Sequence, residues 1–172
     1  MIRLKLALLM LLALTASTAL WHRYKPLPPG LNTQGETHAV YGLKLLVDDT
    51  WESDNGGETT RLSRQHIFDE FFRLIGQAEK LIVVDMFLFN DFQGTATESD
   101  RALSSELTDA LLARRASHPA MPIVVITDPI NTLYGGLHSK HLTRLKKANI
   151  TVVTTPLPAL RDSNPSWSGL WR

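Results

Sequence analysis

His138 and Lys140, separated by one residue, form the pair of side chains in this sequence best suited to attack on a phosphate ester. An imidazole can attack phosphorus while an ammonium group holds an oxygen, provided that both side chains point the same way. Residues i and i+2 share a face on a strand but lie about 200° apart on a helix. The pair stands at the entrance of a helical pattern, just beyond Gly135 and Gly136. We therefore expect the two side chains to diverge and predict no catalytic residue.

Polar side chains within and after the predicted strands are further candidates for a pocket. Asp85 lies inside an apolar strand, where a carboxylate is costly unless it is paired, so a structural hydrogen bond is its first interpretation. Asn90 and Asp91 follow that strand, and Asp128 follows the next one. Ligand groups in α/β folds lie at these strand ends, although turn and helix capping would explain the same residues.

Arg161 is the fifth candidate and stands beside Asp162. The two side chains can form an ion pair that fixes the tail, or the guanidinium can approach a phosphate. The six histidines lack metal-ligand spacing beside acidic partners, and the chain has no cysteine. We therefore predict no metal site and no other cofactor.

Four apolar runs predict strands, and three patterns of helical spacing lie between them. The predicted strands are Leu43–Val47, Leu81–Phe89, Ile123–Thr127 and Ile150–Thr155. The middle two are almost entirely apolar, which is typical of strands covered on both faces. The order β-α-β-α-β-α-β predicts an α/β fold with a mostly parallel sheet.

Flanking residues predict where the helices begin and end. The apolar faces of the three helices are Ile67–Ala78, Leu103–Leu111 and Leu142–Ala148. Ser63 is the expected N-cap of the first helix, and Ser99 or Asp100 that of the second. We expect the second helix to stop at His118, before a proline, and Asn149 to adopt the left-handed conformation after the third.

The amino terminus is apolar and uncharged from Leu6 to Trp21, after a short basic start. Residues 1–21 are predicted to be a signal peptide cleaved after Ala19 or a retained membrane anchor, preceding the folded part as a hydrophobic helix. Either interpretation predicts export to the cell membrane or the periplasm. Residues 22–39 contain three prolines and predict a linker to a domain over residues 40–172. The net charge of +1 predicts no nucleic-acid partner.

The order of segments resembles the phospholipase D superfamily. Its successive helix-strand units are similar to IFDEFFRLIGQAEKLIVVDMFLFND, LTDALLARRASHPAMPIVVITDP and HLTRLKKANITVVTTP. The ending LRDSNPSWSGLWR resembles the branch that contains phosphatidylserine, phosphatidylglycerophosphate and cardiolipin synthases. The resemblance implies phosphodiester transfer or hydrolysis on a phospholipid, by attack of a histidine on phosphorus without a metal.

The sequence departs from that family at its catalytic motif. The family places His-x-Lys-x4-Asp after the stretch that LRDSNP resembles, and position 145 here, five after Lys140, is leucine. We therefore expect residues 40–172 to be an incomplete phospholipase D-like half domain, from a truncated or split reading frame and inactive alone. Self-association, or a second chain that supplies the missing strand, is the expected partnership. The alternative is an exported α/β binding or interaction module without catalysis.

Overall fold

The computed structural model describes residues 2–31, 34–54, 56–57, 59–92, 101–164 and 168–170. The chain divides into two units. The first unit comprises Met1–Ala39 and Pro156–Arg172, and the second unit comprises Val40–Thr155. The division begins the second unit at residue 40 and places the residues after Thr155 with the amino-terminal helix.

A single apolar helix, α1 (Ile2–Tyr24), opens the first unit. Its 23 residues correspond to roughly 35 Å at the rise of an α-helix, against about 30 Å for the hydrocarbon core of a bilayer. Its mean hydropathy is 1.8 over the most apolar window. The length and composition of α1 therefore fit either a membrane span or a signal sequence. Both are compatible with the predicted export, and these two properties do not distinguish them.

The second unit begins with an antiparallel hairpin that the sequence did not indicate. Strands β1 (Asp48–Asp54) and β2 (Thr59–Gln65) pair through their full lengths. In the turn, the Asp54 carboxylate accepts a hydrogen bond from the Gly57 amide at 3.0 Å. Gly56 and Gly57 have φ of 76° and 103°, which non-glycine residues rarely adopt. Because the turn between β1 and β2 is short, closing it costs little conformational entropy, which favours formation of the hairpin.

The predicted first strand, Leu43–Val47, is wrong. These residues form no strand, and Leu43 and Leu45 are exposed. The predicted N-cap Ser63 is also wrong, because it lies within β2 and helix α2 (His66–Gln77) begins three residues later. The Asp48 carboxylate caps this helix instead and accepts a hydrogen bond from the Ile67 amide at 2.9 Å. A cap nineteen residues away in the sequence cannot be recognised from local spacing.

The remaining elements alternate as predicted and form a parallel sheet. They are β3 (Ile82–Met86), α3 (Leu103–Ser117), β4 (Ile123–Thr127), α4 (Lys140–Lys147) and β5 (Thr151–Thr154). The strand order is β3-β4-β5, and Val125 of β4 lies between Val84 and Val152. The mixed α/β class and a three-stranded parallel sheet are confirmed. The fourth parallel strand is not found among the described residues.

Helix ends follow the sequence where they are described. Helix α3 ends at Ser117 with His118 as its C-cap, as predicted. Asn149 has φ of 56°, which confirms the left-handed residue after α4. Ser139 caps α4 and accepts a hydrogen bond from the Leu142 amide at 3.3 Å. Ser99 and Asp100, the predicted caps of α3, lie outside the described residues, as do Trp167 and Trp171 of the LRDSNP tail.

The core lies on one face of the parallel sheet. Its buried residues are Ile75, Ile82, Val84, Phe89, Leu107, Leu111, Met121, Ile123, Val125, Leu142, Leu145 and Ile150. Two right-handed crossovers that proceed in the same direction put α3 and α4 on the same side of the sheet. Val83, on the opposite face, is 55% exposed and Val153 is 42% exposed. Coverage on both faces was therefore a wrong prediction for the described part of the second unit.

Candidate functional site

Asn131, in the 3-10 turn that follows β4, joins the carboxyl ends of two strands. Its side-chain oxygen accepts hydrogen bonds from the Phe89 amide and the Asn90 side chain, both at 2.7 Å. Its side-chain nitrogen donates to the Phe87 carbonyl at 2.8 Å and to the Thr127 hydroxyl at 2.7 Å. Asn131 is buried, so each lost bond would leave an unsatisfied polar group in the interior. This network fixes the loop that carries Asn90 and Asp91.

Asp91 lies against the first turn of α4. One carboxylate oxygen is 2.6 Å from the Lys140 ammonium and 2.8 Å from Nε2 of His141. The hydrogen bond from Lys140 is the main reason that the pKa of Asp91 lies below its ordinary value, and His141 contributes in the same direction. Asp91, Lys140 and His141 together are called the Asp91 cluster below. It places one anionic and two basic groups at the carboxyl edge of the sheet.

His141 is the buried member of this cluster, with 3% of its side chain exposed. Its Nδ1 lies 3.0 Å from the Thr108 hydroxyl, and its ring stacks on Phe89 with centroids 5.7 Å apart. The Thr108 hydroxyl also donates to the Ser104 carbonyl at 2.7 Å. Both ring nitrogens of His141 therefore have hydrogen-bond partners within the protein. The arrangement suits a residue that holds Asp91 in place.

Two clefts border the Asp91 cluster. A cleft of about 420 Å³ has a largely apolar lining, and the charged groups among its described lining residues are Asp91, Lys140 and Arg101. Its apolar residues are Phe68, Met86, Leu88, Phe89, Phe92, Ala102, Leu103 and Leu107. A second cleft of about 220 Å³ is lined by Asn90, Asp91, Phe92, Asn131, Leu137, His138, Ser139, Lys140 and His141. The Asp91 cluster thus lies between the two clefts and lines both of them.

The His138 and Lys140 pair is split by the start of α4. Ser139, between them, has the extended backbone of an N-cap, and Lys140 is the first helical residue. The Lys140 side chain reaches Asp91, while His138 is exposed on the wall of the smaller cleft. Lys140 belongs to the Asp91 cluster and His138 lies on the cleft beside it, while the expectation that the pair does no joint chemistry remains a prediction.

Of the five residues singled out from the sequence, Asn90 and Asp91 meet at this site. Asp128, after β4, accepts a hydrogen bond from the Ile130 amide at 2.8 Å, which is a capping role. Asp85 lies exposed on the open face of β3, so the expected burial of its carboxylate is wrong. Asp85 is exposed because it follows buried Val84 along β3, and neighbouring strand residues point to opposite faces of the sheet. Arg161 belongs to the first unit, where it donates to the Lys25 carbonyl at 2.8 Å.

Three residues of this site were missed by sequence reasoning: Thr108, Asn131 and His141. Asn131 follows Pro129 in a stretch that reads as an ordinary turn. His141 stands at the apolar face of α4, and only its proximity to Leu142 in a helical pattern hints at burial. Among the residues that the structure describes, no group of three or more His, Asp or Glu side chains is placed to hold a metal ion.

Comparison with known proteins identifies no relative. A scan against family models, a search of curated proteins and a search of solved structures each found no match to this chain.

Proposed function

We propose that this chain is a membrane-attached or periplasmic phospholipase D-like protein whose second unit binds the phosphodiester head group of a phospholipid. The observation that carries the proposal is the larger cleft, in which a largely apolar lining adjoins the ammonium of Lys140. An amphipathic anion requires this combination, since its acyl part needs apolar contact and its phosphate needs donors. The sequence resemblance to the phospholipid synthase branch supports the same class of ligand.

Lys140 is the residue proposed to contact the phosphate. Its side chain is 70% exposed, and Asp91 takes one of the three donors of the ammonium. Asp91 and His141 would keep this ammonium at the mouth of the cleft, as positioning residues. Arg101, on the same cleft, is engaged with Glu106 at 2.6 Å and Asp69 at 2.7 Å. These ion pairs fix one wall and leave Lys140 as the better phosphate contact.

Binding is proposed without turnover by these 172 residues. Phosphodiester transfer or hydrolysis in the resembled family uses the histidine of a His-x-Lys-x4-Asp motif as nucleophile, and position 145, five after Lys140, is leucine in this chain. We propose that cleavage requires a His-x-Lys-x4-Asp segment from residues other than these, such as a second chain. No metal enters this chemistry.

The binding proposal is tested with a water-soluble, short-chain phosphatidylglycerol and the full chain in detergent micelles. A soluble ligand separates the site from α1, which would bind any membrane. Lys140→Ala is expected to weaken binding about tenfold, or ~1.4 kcal/mol. Lys146→Ala is the matched control, because it removes the same charge from an exposed position of the same helix. Equal weakening by both substitutions would show that only net charge matters.

The turnover proposal has its own assay. The isolated chain, incubated with phosphatidylglycerol vesicles, is expected to release no head group and to form no new phospholipid. Measurable turnover that His138→Ala abolishes would contradict the inactive assignment and make the exposed histidine a nucleophile.

A second candidate function is an exported α/β interaction module without catalysis. The open sheet face favours it, because Val83 and Val153 expose apolar surface on strands whose other face is packed. Sedimentation of the chain in detergent tests this role. Self-association that Val83→Lys removes would support the interaction module, whereas a monomer at all concentrations would leave the ligand-binding role.

A further inference from the structure

One side of α1 packs against the end of the chain within the first unit. The described residues that follow Pro156 in this unit, 157–164 and 168–170, are called the tail. Along α1 the partly buried residues are Thr15, Thr18, Ala19 and His22, and Lys25 directly after the helix is buried. Steps of three, one, three and three place them along one side of the helix. The neighbouring large apolar side chains Leu14, Leu20 and Trp21 are exposed.

Hydrogen bonds join the tail to the carboxyl end of α1. The Lys25 ammonium donates to the Pro158 carbonyl at 2.5 Å, and Arg161 donates to the Lys25 carbonyl. The Asp162 amide donates to the His22 carbonyl at 3.1 Å. The last carbonyls of a helix have no partner within the helix, so the tail supplies what the helix end lacks. Arg161 and Asp162 thus have a local structural role.

A second contact between the tail and α1 lies at Thr15, ten residues before Lys25. A Cβ atom added to Gly169 would overlap the Thr15 carbonyl oxygen and lie 2.8 Å from the Thr15 methyl carbon. The two backbones therefore touch at a place that only glycine permits. Ser168 beside it is buried, and its hydroxyl donates to the Asp162 carboxylate at 2.5 Å. The two contacts together cover about 15 Å of the helix.

The predicted cleavage point after Ala19 lies between these two contacts. Ala19 is partly buried in a helix that continues to Tyr24. Cleavage there would also remove Thr15 from Gly169. We infer that α1 is retained in the mature protein as a permanent anchor, with the tail packed along one side of it.

The rest of the helix surface suits lipid. Exposed leucines cover the other sides of α1, and Trp21 and Tyr24 stand at its carboxyl end, where aromatic residues mark a membrane interface. A cleaved signal sequence needs no partner in the mature chain, so the packed tail distinguishes the two interpretations. Retention of α1 is independent of whether the second unit binds phospholipid.

The test begins with the full chain isolated from the membranes of an exporting bacterium. Intact mass and amino-terminal sequencing are expected to show the complete chain, with α1 present. A product that begins at Leu20 would overturn the inference.

Packing of the tail is tested on the same material with a pair of glycine substitutions. Gly169→Leu would separate the tail from Thr15, whereas Gly35→Leu adds a side chain where no atom lies within 4 Å. With a low-specificity protease in detergent, we expect cleavage between residues 15 and 25 to become at least about tenfold faster in Gly169→Leu, because the open form is more populated. Gly35→Leu should match the wild type. Equal rates for all three proteins would contradict the packed tail.

Discussion

The two faces of the parallel sheet differ although the same strands form both. Val84 and Val125 are buried beneath the helices, whereas Val83, next in the chain to Val84, is largely exposed. Both faces are apolar in sequence, so composition alone does not reveal which one is covered. The direction of the two crossovers decides it, because both place their helix on the same side. An apolar strand therefore predicts burial only when the connections are also known.

The two faces should differ most in how much the free energy of unfolding falls when a side chain is truncated. Leu111→Ala removes a fully buried side chain from α3 and is expected to lower the free energy of unfolding by about 2–5 kcal/mol. Val83→Ala, on the open face, should change it by less than ~0.5 kcal/mol. Denaturant unfolding of both variants in the same detergent measures the contrast. A loss above ~1.5 kcal/mol for Val83→Ala would show that the open face is covered in solution.

Loss of the buried Asn131 side-chain amide should have the next largest effect on stability. Asn131→Ala leaves the Phe89 amide and the Phe87 carbonyl without this partner, and we expect a loss of roughly 2–3 kcal/mol. Asn90→Ala, at a partly buried position, removes a hydrogen bond to Asn131 and one from the Phe92 amide and is the milder control. Equal stabilities of the two variants would mean that Asn131 does not organise the loops after β3 and β4.

Acid should weaken the Asp91 cluster. Because its pKa is lowered in the folded chain, ionised Asp91 stabilises the fold at neutral pH. This contribution is complete above the ordinary carboxyl pKa of about 3.9 and is lost as pH falls through the lower folded value. Asp91→Asn should therefore be less stable than the wild type near pH 6 and differ from it less at pH 3. A difference between the two proteins that is constant over this range would contradict the ion pairs.

Sequence reasoning succeeded where the signal is local and periodic. The strands β3, β4 and β5 and all three helices of the second unit lie where apolar spacing predicts them. The end of α3 at His118 and the left-handed Asn149 follow from single residues with well-defined preferences. Leu145, judged to be a core residue rather than a ligand, is fully buried.

The failures share a dependence on contacts between distant residues. Leu43–Val47 has the composition of a strand, but pairing needs a partner edge, which local sequence does not specify. The contact of His141 with Asp91 spans fifty residues, and that of Asn131 with Phe89 spans forty-two. The pairing of β3 with β4 brings Asn131 to Phe89, and the position of α4 brings His141 to Asp91. Asn90 and Asp91, chosen from the sequence for their place after β3, therefore lie beside Asn131 and His141, which local sequence did not indicate.

The most direct test of the proposed phospholipid site uses the methyl groups of the methionines. Met86 lines the apolar cleft beside the Asp91 cluster, while Met121 is buried near the opposite end of the strands and serves as an internal control. In carbon-13 methyl NMR of the full chain in detergent, short-chain phosphatidylglycerol is expected to shift the Met86 signal in a saturable manner. Met121 should be unaffected, and Lys140→Ala should move the midpoint to higher ligand concentration. An unchanged Met86 signal at saturating ligand would contradict the proposed site.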